Sequence, residues 1–156
     1  MITIIHCWSA PRSRSTALLY SFEARGNTVA LDEPLYREWL LQAHNKSQGS
    51  TTRPYLEYLR TGVGPTSGKG VDAPWKRETL SWSDRIAAAA AQLSDADGGV
   101  IFCKHISKFA SVYDFDNELP GYKHVHMFLL RDPTSVLSAW GAVGDVHGNA
   151  ISSEEV

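Results

Sequence analysis

A short apolar run that ends in a turn rich in hydroxyls and arginines, then passes at once into a helical pattern, limits this chain more than any other feature. Ile2 to Trp8 is continuous and rich in β-branched residues, as a strand buried on both faces requires. Ser9-Ala10-Pro11 breaks it. From Ser15 onward Leu18, Leu19 and Phe22 fall at helical spacing, and Arg25-Gly26-Asn27 supplies the stop. Thr28 to Leu31 is a second short strand, followed at once by Asp32-Glu33-Pro34. Strand, loop, helix and strand in this order form a βαβ unit, and such units build parallel sheets.

The remaining pattern extends that unit. Residues 35–44 and 53–60 read as helices, and 61–74, rich in Gly, Pro and Ser, as an exposed loop. Glu78 to Leu93 reads as a helix, its Ala87–Ala91 run allowing close packing, and Asp95-Ala-Asp-Gly-Gly99 ends it. Val100 to Cys103 is a third strand with Lys104-His105 at its C-terminal end. Lys123 to Leu130 is a fourth, and Arg131-Asp132-Pro133 leads into a helix over Ser135 to Trp140. The expected architecture is α/β: about four parallel strands in a three-layer arrangement with helices on both faces. Residues 141–156 read as a polar tail on this single domain, 1–156.

With 156 residues the chain is long enough for one core. A net charge of −2 gives no support to nucleic-acid or membrane-surface binding, which show a basic excess. No apolar run reaches the 18 residues a bilayer span needs. The N-terminus has neither the basic region nor the small-residue cleavage site of a signal peptide. Cys7 and Cys103 sit in apolar strands and read as reduced core thiols, which agrees with a cytoplasmic location.

The chemistry concentrates in the first loop. A loop between a buried strand and a helix turns backbone N–H groups and the positive end of the helix dipole toward one spot. Ser13, Ser15 and Thr16 add hydroxyls, and Arg12 adds a charge with bidentate geometry. A solvated helix cap accounts for the hydroxyls but not for two arginines in the turn. Phosphate is the natural occupant. The loop lacks the Gly-Lys-Ser/Thr of a Walker A motif; the only similar stretch, Gly64 to Gly70, has Val63 five residues before Gly68 where the motif wants Gly, Gly70 where it wants a hydroxyl, and no strand before it.

Ser9-Ala-Pro-Arg-Ser-Arg-Ser-Thr-Ala-Leu18 resembles the 5′-phosphosulfate loop of the sulfotransferases, usually Pro-Lys/Arg-Ser-Gly-Thr/Ser-Thr, with Arg14 in place of the Gly. A branch of plant and microbial proteins, some described through a fused partner as aminotransferase-like, is closer still. It carries His-x-Trp-Ser-Ala-Pro-Arg-Ser, Asp-Glu-Pro-Leu-Tyr and Lys-His-Ile, and these stand here at 6–13, 32–36 and 104–106. Phe128-Leu-Leu-Arg131-Asp-Pro133 resembles the family's 3′-phosphate segment, where an Arg ends a strand and a Ser follows on the next helix. That Ser often stands eight residues after the Arg, where this chain has Ala139; Ser138 is one residue earlier, and Ser135 is the fallback.

The resemblance implies a fold of the P-loop nucleoside-triphosphatase type and transfer of a sulfuryl group from 3′-phosphoadenosine 5′-phosphosulfate to a hydroxyl or amine of a small organic acceptor. The product would be 3′,5′-ADP, and no metal is called for. Pro11, Arg12, Ser13, Arg14, Ser15, Thr16, Arg131 and Ser138 would hold the nucleotide. Arg12 would stand beside the bridging oxygen, and His105 or Glu33 would be the base, His105 ranking first because its ordinary pKa suits the task. Trp8, Glu33 and Tyr36 would face the acceptor, joined by Trp39, Tyr55 and Trp75. Lys104 and Lys108 would help neutralise the phosphates, with strand alternation pointing Lys104 away from His105. His124 and His126 share one face of a strand, with no third metal ligand fixed nearby, and read as an exposed pair.

Two other readings stay open: a metal-dependent phosphotransferase, and a non-catalytic nucleotide-binding module. Domains of the resembling family are longer. The chain is therefore expected to represent their N-terminal part, with exposed apolar surface covered by further chain or by a second copy in a homodimer.

Overall fold

The computed structural model describes residues 1–47, 80–93 and 98–141. The helix expected over 53–60, the loop over 61–74, the 95–97 turn, the tail beyond 141, and Tyr55 and Trp75 lie outside the described residues.

Four strands form one parallel sheet: β1 (Thr3–Ser9), β2 (Thr28–Asp32), β3 (Val100–Ile106) and β4 (Lys123–Leu129). Their order is β2-β3-β1-β4. β1 is therefore internal, and its continuous apolar character follows from having a strand on each side and a layer on each face. β4 is an edge strand of the described sheet, and its positions are exposed or half-buried, none fully buried.

Alternation sorts the side chains onto two faces. Ile4, His6 and Trp8 share one face with Ile101, Cys103 and His105, because Ile4 pairs with Ile101 and Trp8 with His105. Ile86 and Ala89 of the helix α3 (Trp82–Ala90) close that side around Ile4 and Ile101. The other face carries Cys7 and Phe102 under the helix α1 (Ser15–Glu23), whose Leu19 and Phe22 pack there, Phe22 stacking on Phe102 at 4.0 Å. Ile4, Ile86 and Ile101 are fully buried, each worth about 1.5–3 kcal/mol in apolar burial. The expected α/β architecture, with parallel strands and helices on both faces, is the one found.

Element ends differ from the sequence pattern for local reasons. α3 begins at Trp82, where the Ser81 hydroxyl accepts the Asp84 N–H at 3.2 Å as an N-cap, and it ends at Ala90, short of the expected Leu93. Glu78 and Thr79 of the expected helix lie outside the described residues. The helix α4 (Pro133–Gly141) begins two residues earlier than expected. Asp132 accepts the Ser135 N–H at 2.8 Å, and Pro133 occupies the first helical position, where no N–H is needed. β3 runs on to Ile106, taking Lys104 and His105 into the strand itself. A 3-10 turn, Ser107–Val112, follows and buries Phe109 completely. It packs on the helix α2 (Tyr36–Ser47).

Candidate functional site

The loop from β1 to α1 is shaped by backbone in unusual regions. Arg12 and Arg14 take left-handed φ values of 63° and 65°. Arg14 is the N-cap of α1 yet makes no side-chain cap, so the first N–H groups of the helix stay turned toward the loop. The third non-glycine residue with positive φ among those described is Glu33, at 45°. Strained backbone of this kind collects at functional sites, and all three are residues the sequence had singled out. Ser13 is buried with its hydroxyl lacking any hydrogen-bond partner.

Arg131, at the end of β4, reaches back to this loop and donates to the Arg12 carbonyl at 2.7 Å. Arg12, Arg14, Ser15 and Thr16 line one cavity of about 410 Å³ with Arg131 and Ala139. Three guanidiniums, two hydroxyls and a helix N-terminus thus surround a single space, an arrangement suited to a polyanion. Ser138 stands beside it, its hydroxyl donating to the Thr134 carbonyl of its own helix at 2.8 Å, while Ala139 faces the cavity.

Glu33 follows β2, and its N–H donates to the Lys104 carbonyl at 2.9 Å. Lys104 points to the α1 side, opposite His105, as alternation requires. Its ammonium lies 2.5 Å from Asp32 and 3.3 Å from Glu33. Burial alone would lower its pKa, but the Asp32 hydrogen bond and charge, with Glu33 behind them, raise it. Lys104 is therefore committed to carboxylates, and the Glu33 carboxylate has a cation beside it. Lys108 lies over the Trp39 ring at 4.2 Å.

His105 is fully buried on the other face, and its Nδ1 lacks a hydrogen-bond partner. Its ring stacks on Trp8 at 4.4 Å, and its Nε2 lies 3.2 Å from His6 Nδ1. His6 Nε2 lies 3.0 Å from His124 Nδ1 and 3.2 Å from the Tyr113 hydroxyl. Tyr113 donates to Glu118 at 3.0 Å, and His126 Nε2 reaches the same Glu118 oxygen at 2.6 Å. Burial, then the neighbouring histidines, lowers the pKa of His6 to about 2; burial, then His126 and Arg85, lowers that of His105 to about 3. Both are neutral at physiological pH.

This cluster corrects the reading of His124 and His126 as an exposed pair. The His124 side chain is only 5% exposed, and His6 and Glu118 stand beside it. Ligand atoms of His6, Glu118 and His124 lie within 4.8 Å of one another, and hydrogen bonds engage each of these side chains. Tyr113 and Glu118 carry no periodic signal that sequence reasoning could have used. The available signal was period-two histidines in β4 facing His6, which needs the strand order to interpret.

Trp8, Tyr36 and Trp39, three of the five aromatic side chains expected to face the acceptor, pack in one apolar cluster around Leu35 and Phe109. Trp8 is 2% exposed and its indole N–H donates to His126 at 3.0 Å. Cys7 and Cys103 are buried on opposite faces of the sheet, and burial raises both thiol pKa values. No helix among the described residues is long and apolar enough to cross a membrane.

No solved structure matches the chain. Two Arabidopsis thaliana proteins do, over most of its length. Branched-chain-amino-acid aminotransferase-like protein 2 is 31% identical over 140 residues, which is 88% of this chain and 20% of that protein. Branched-chain-amino-acid aminotransferase-like protein 1 is 29% identical over 143 residues, 90% of this chain and 21% of that protein. The chain spans about a fifth of the length of these relatives. Residues 2–47, which hold β1, the arginine loop, α1, β2 and Glu33, match the family model of a sulfotransferase domain.

Proposed function

We propose that this chain is the donor-binding part of a sulfotransferase that uses 3′-phosphoadenosine 5′-phosphosulfate and a small organic acceptor. The observation that carries the reading is the convergence of Arg12, Arg14, Ser15, Thr16 and Arg131 on one cavity at the end of β1 and β4, four of the five lying within residues 2–47, which match a sulfotransferase domain. In this reading Pro11 to Thr16 hold the 5′ side of the nucleotide, and the unspent Ser13 hydroxyl finds its partner there. Arg131 holds the 3′-phosphate, with Ser138 as its helix partner once its hydroxyl turns from Thr134.

The nucleotide supplies an activated sulfuryl group. The protein's part is positional and electrostatic. Arg12 neutralises the charge that grows on the 5′-phosphate as the sulfur–oxygen bond to it breaks. Burial removes the near-neutral pKa that favoured His105. In this reading it therefore takes the proton of the acceptor hydroxyl or amine only as the new bond to sulfur forms and makes that proton strongly acidic, and Glu33 is the competing base. The small acceptor lies against Trp8 and Tyr36. In this reading the chain falls with the plant and microbial branch whose three motifs it carries, and no divalent ion takes part.

Isothermal titration with 3′,5′-ADP tests it. Saturable binding that weakens at least tenfold in both Arg12→Ala and Arg131→Ala is expected, because each removes a charge-assisted contact. Absence of binding, or binding indifferent to both substitutions, refutes the assignment. Magnesium-dependent ATP turnover would favour a phosphotransferase instead.

A further inference from the structure

The hydrogen bonds around His6 form a chain with acceptor-only groups at its ends, and this determines where every proton sits. His124 Nε2 lies 3.0 Å from the Leu119 carbonyl, which can only accept. His124 therefore carries its proton on Nε2 and offers Nδ1 as an acceptor. His6 must then donate from Nε2. A second route demands the same. The Glu118 carboxylate takes the Tyr113 proton, so the Tyr113 oxygen is left to accept from His6 Nε2. A neutral His6 that donates from Nε2 accepts at Nδ1, and His105 Nε2–H is the donor it meets. The proton count ends at His105 with Nε2 protonated and Nδ1 bare.

His126 obeys the same rule. The indole of Trp8 can only donate, so His126 accepts at Nδ1 and donates from Nε2 to Glu118. Nothing in the cluster calls for the opposite polarity. Burial disfavours an imidazolium that would relax the rule. Burial alone would also raise the Glu118 pKa, but hydrogen bonds from His126 and Tyr113 outweigh it, so Glu118 remains an ionised acceptor.

We propose that His6, held by His124 on the Leu119 carbonyl and by Tyr113 on Glu118, is a positioning residue that locks His105 in the Nε2–H tautomer and reserves its Nδ1 lone pair for the proton transferred in the reaction. The catalytic half of this proposal rests on the sulfotransferase reading with His105 as base. The tautomer half stands without it. The bare Nδ1 is the one ring nitrogen of the four clustered histidines that lacks a hydrogen-bond partner. A buried acceptor left open in this way costs about 1–3 kcal/mol, a cost that has a use if a substrate proton fills the vacancy.

Long-range proton–nitrogen correlation spectra of 15N-histidine-labelled protein, recorded without nucleotide, read the tautomer directly. The wild-type spectrum is expected to show His105 as one species, protonated on Nε2. An Nδ1-protonated His105, or an equal mixture, overturns the proposal with no substitution made. His6→Phe removes the acceptor and is expected to release His105 into a mixture of tautomers. Tyr113→Phe removes one route only and is expected to leave the single species, since the His124 route remains. A His6→Phe spectrum identical to wild type at His105 also overturns it, and the milder Tyr113→Phe serves as the folded control.

In turnover assays His6→Phe is expected to lower kcat about tenfold to a hundredfold, part of what a general base contributes, while the affinity for 3′,5′-ADP stays within twofold. An unchanged kcat removes the catalytic half. If the wild-type protein binds 3′,5′-ADP and transfers sulfuryl groups but His105→Ala does so equally well, the choice of base fails while the spectra still decide the tautomer.

Discussion

Replacing Arg14 by glycine should make the protein more stable, and replacing it by alanine should not. Arg14 caps α1 at a φ of 65°, with no side-chain cap and its guanidinium exposed. A left-handed conformation costs a residue with a Cβ about 1–2 kcal/mol. Glycine avoids that cost but loses about 0.5–1 kcal/mol through the greater freedom of its unfolded chain. The difference leaves Arg14→Gly about 0.5–1 kcal/mol more stable, whereas Arg14→Ala keeps the strain and stays near the wild type. The bonds from the Ala17 and Leu18 N–H groups to the Arg14 carbonyl survive both changes. Inside a helix the order is reversed, with glycine less stable than alanine by a similar amount, so the sign alone is diagnostic. For a chain of this size the shift in Tm is about 1–4 °C, measurable by calorimetry without nucleotide. A glycine variant that melts at or below the alanine variant refutes the backbone argument. Both variants should bind 3′,5′-ADP more weakly, since each removes a cation from the cavity.

Three further outcomes follow from the same geometry. Lys104→Met strands Asp32 and Glu33 without their buried cation and should cost about 2–3 kcal/mol in urea unfolding, somewhat less than a fully buried pair because Asp32 is half exposed. Since the folded pKa of Lys104 is raised, this contribution is complete below about pH 10.4 and disappears as pH rises through the folded value, so the gap between wild type and variant should be flat from pH 7 to 9 and close in strong alkali. His6 and His105, with pKa values of about 2 and about 3 when folded, bind protons only in the unfolded chain as pH falls below about 6.5; stability should then drop by up to about 2.7 kcal/mol per pH unit from the pair, and a flat profile between pH 6 and 4 would contradict their burial as neutral rings. Ala139→Ser adds a hydroxyl facing the cavity and should tighten 3′,5′-ADP binding about threefold to tenfold, while Ser138→Ala should cost less than Arg131→Ala, because the Ser138 hydroxyl must first give up its bond to Thr134; a loss at Ser138 equal to that at Arg131 would contradict this.

What the sequence disclosed depended on how far apart the informative residues lie. The arginine loop was legible because strand, turn and helix signals are contiguous from Ile2 to Phe22, and backbone N–H groups at a helix start need no distant partner. Arg131 could be placed from the apolar strand before it and the Asp-Pro after it, but its role came only from the resemblance of Phe128–Pro133 to a family segment. Lys104 was harder: alternation gave its direction, but its commitment to Asp32 and Glu33 depends on β2 lying beside β3. The histidine cluster was hidden for the same reason. His6, His105 and His124 are separated by 99 and 118 residues from their bonded partners, and only the order β2-β3-β1-β4 lays them on one face. Glu118 and Leu119 sit in an irregular segment, where nothing periodic betrays a terminus for a hydrogen-bond chain. The Ser138 register turned on a detail of the same kind, since a helix that starts at Pro133 aims residue 139 at the cavity.

The strand order also has a consequence for how the chain acquires its shape. β1 and β2 are neighbours in sequence but not in space, because β3 lies between them. The first 32 residues therefore cannot zip into a sheet as they leave the ribosome, and β1 waits about a hundred residues for β3 and still longer for β4. Such long-range closure is slow and leaves an apolar strand uncovered meanwhile. The arginine loop, anchored on β1 and tied to Arg131, would then be among the last parts to take its final form, so nucleotide binding would report completed folding and would shift that equilibrium in its favour by mass action.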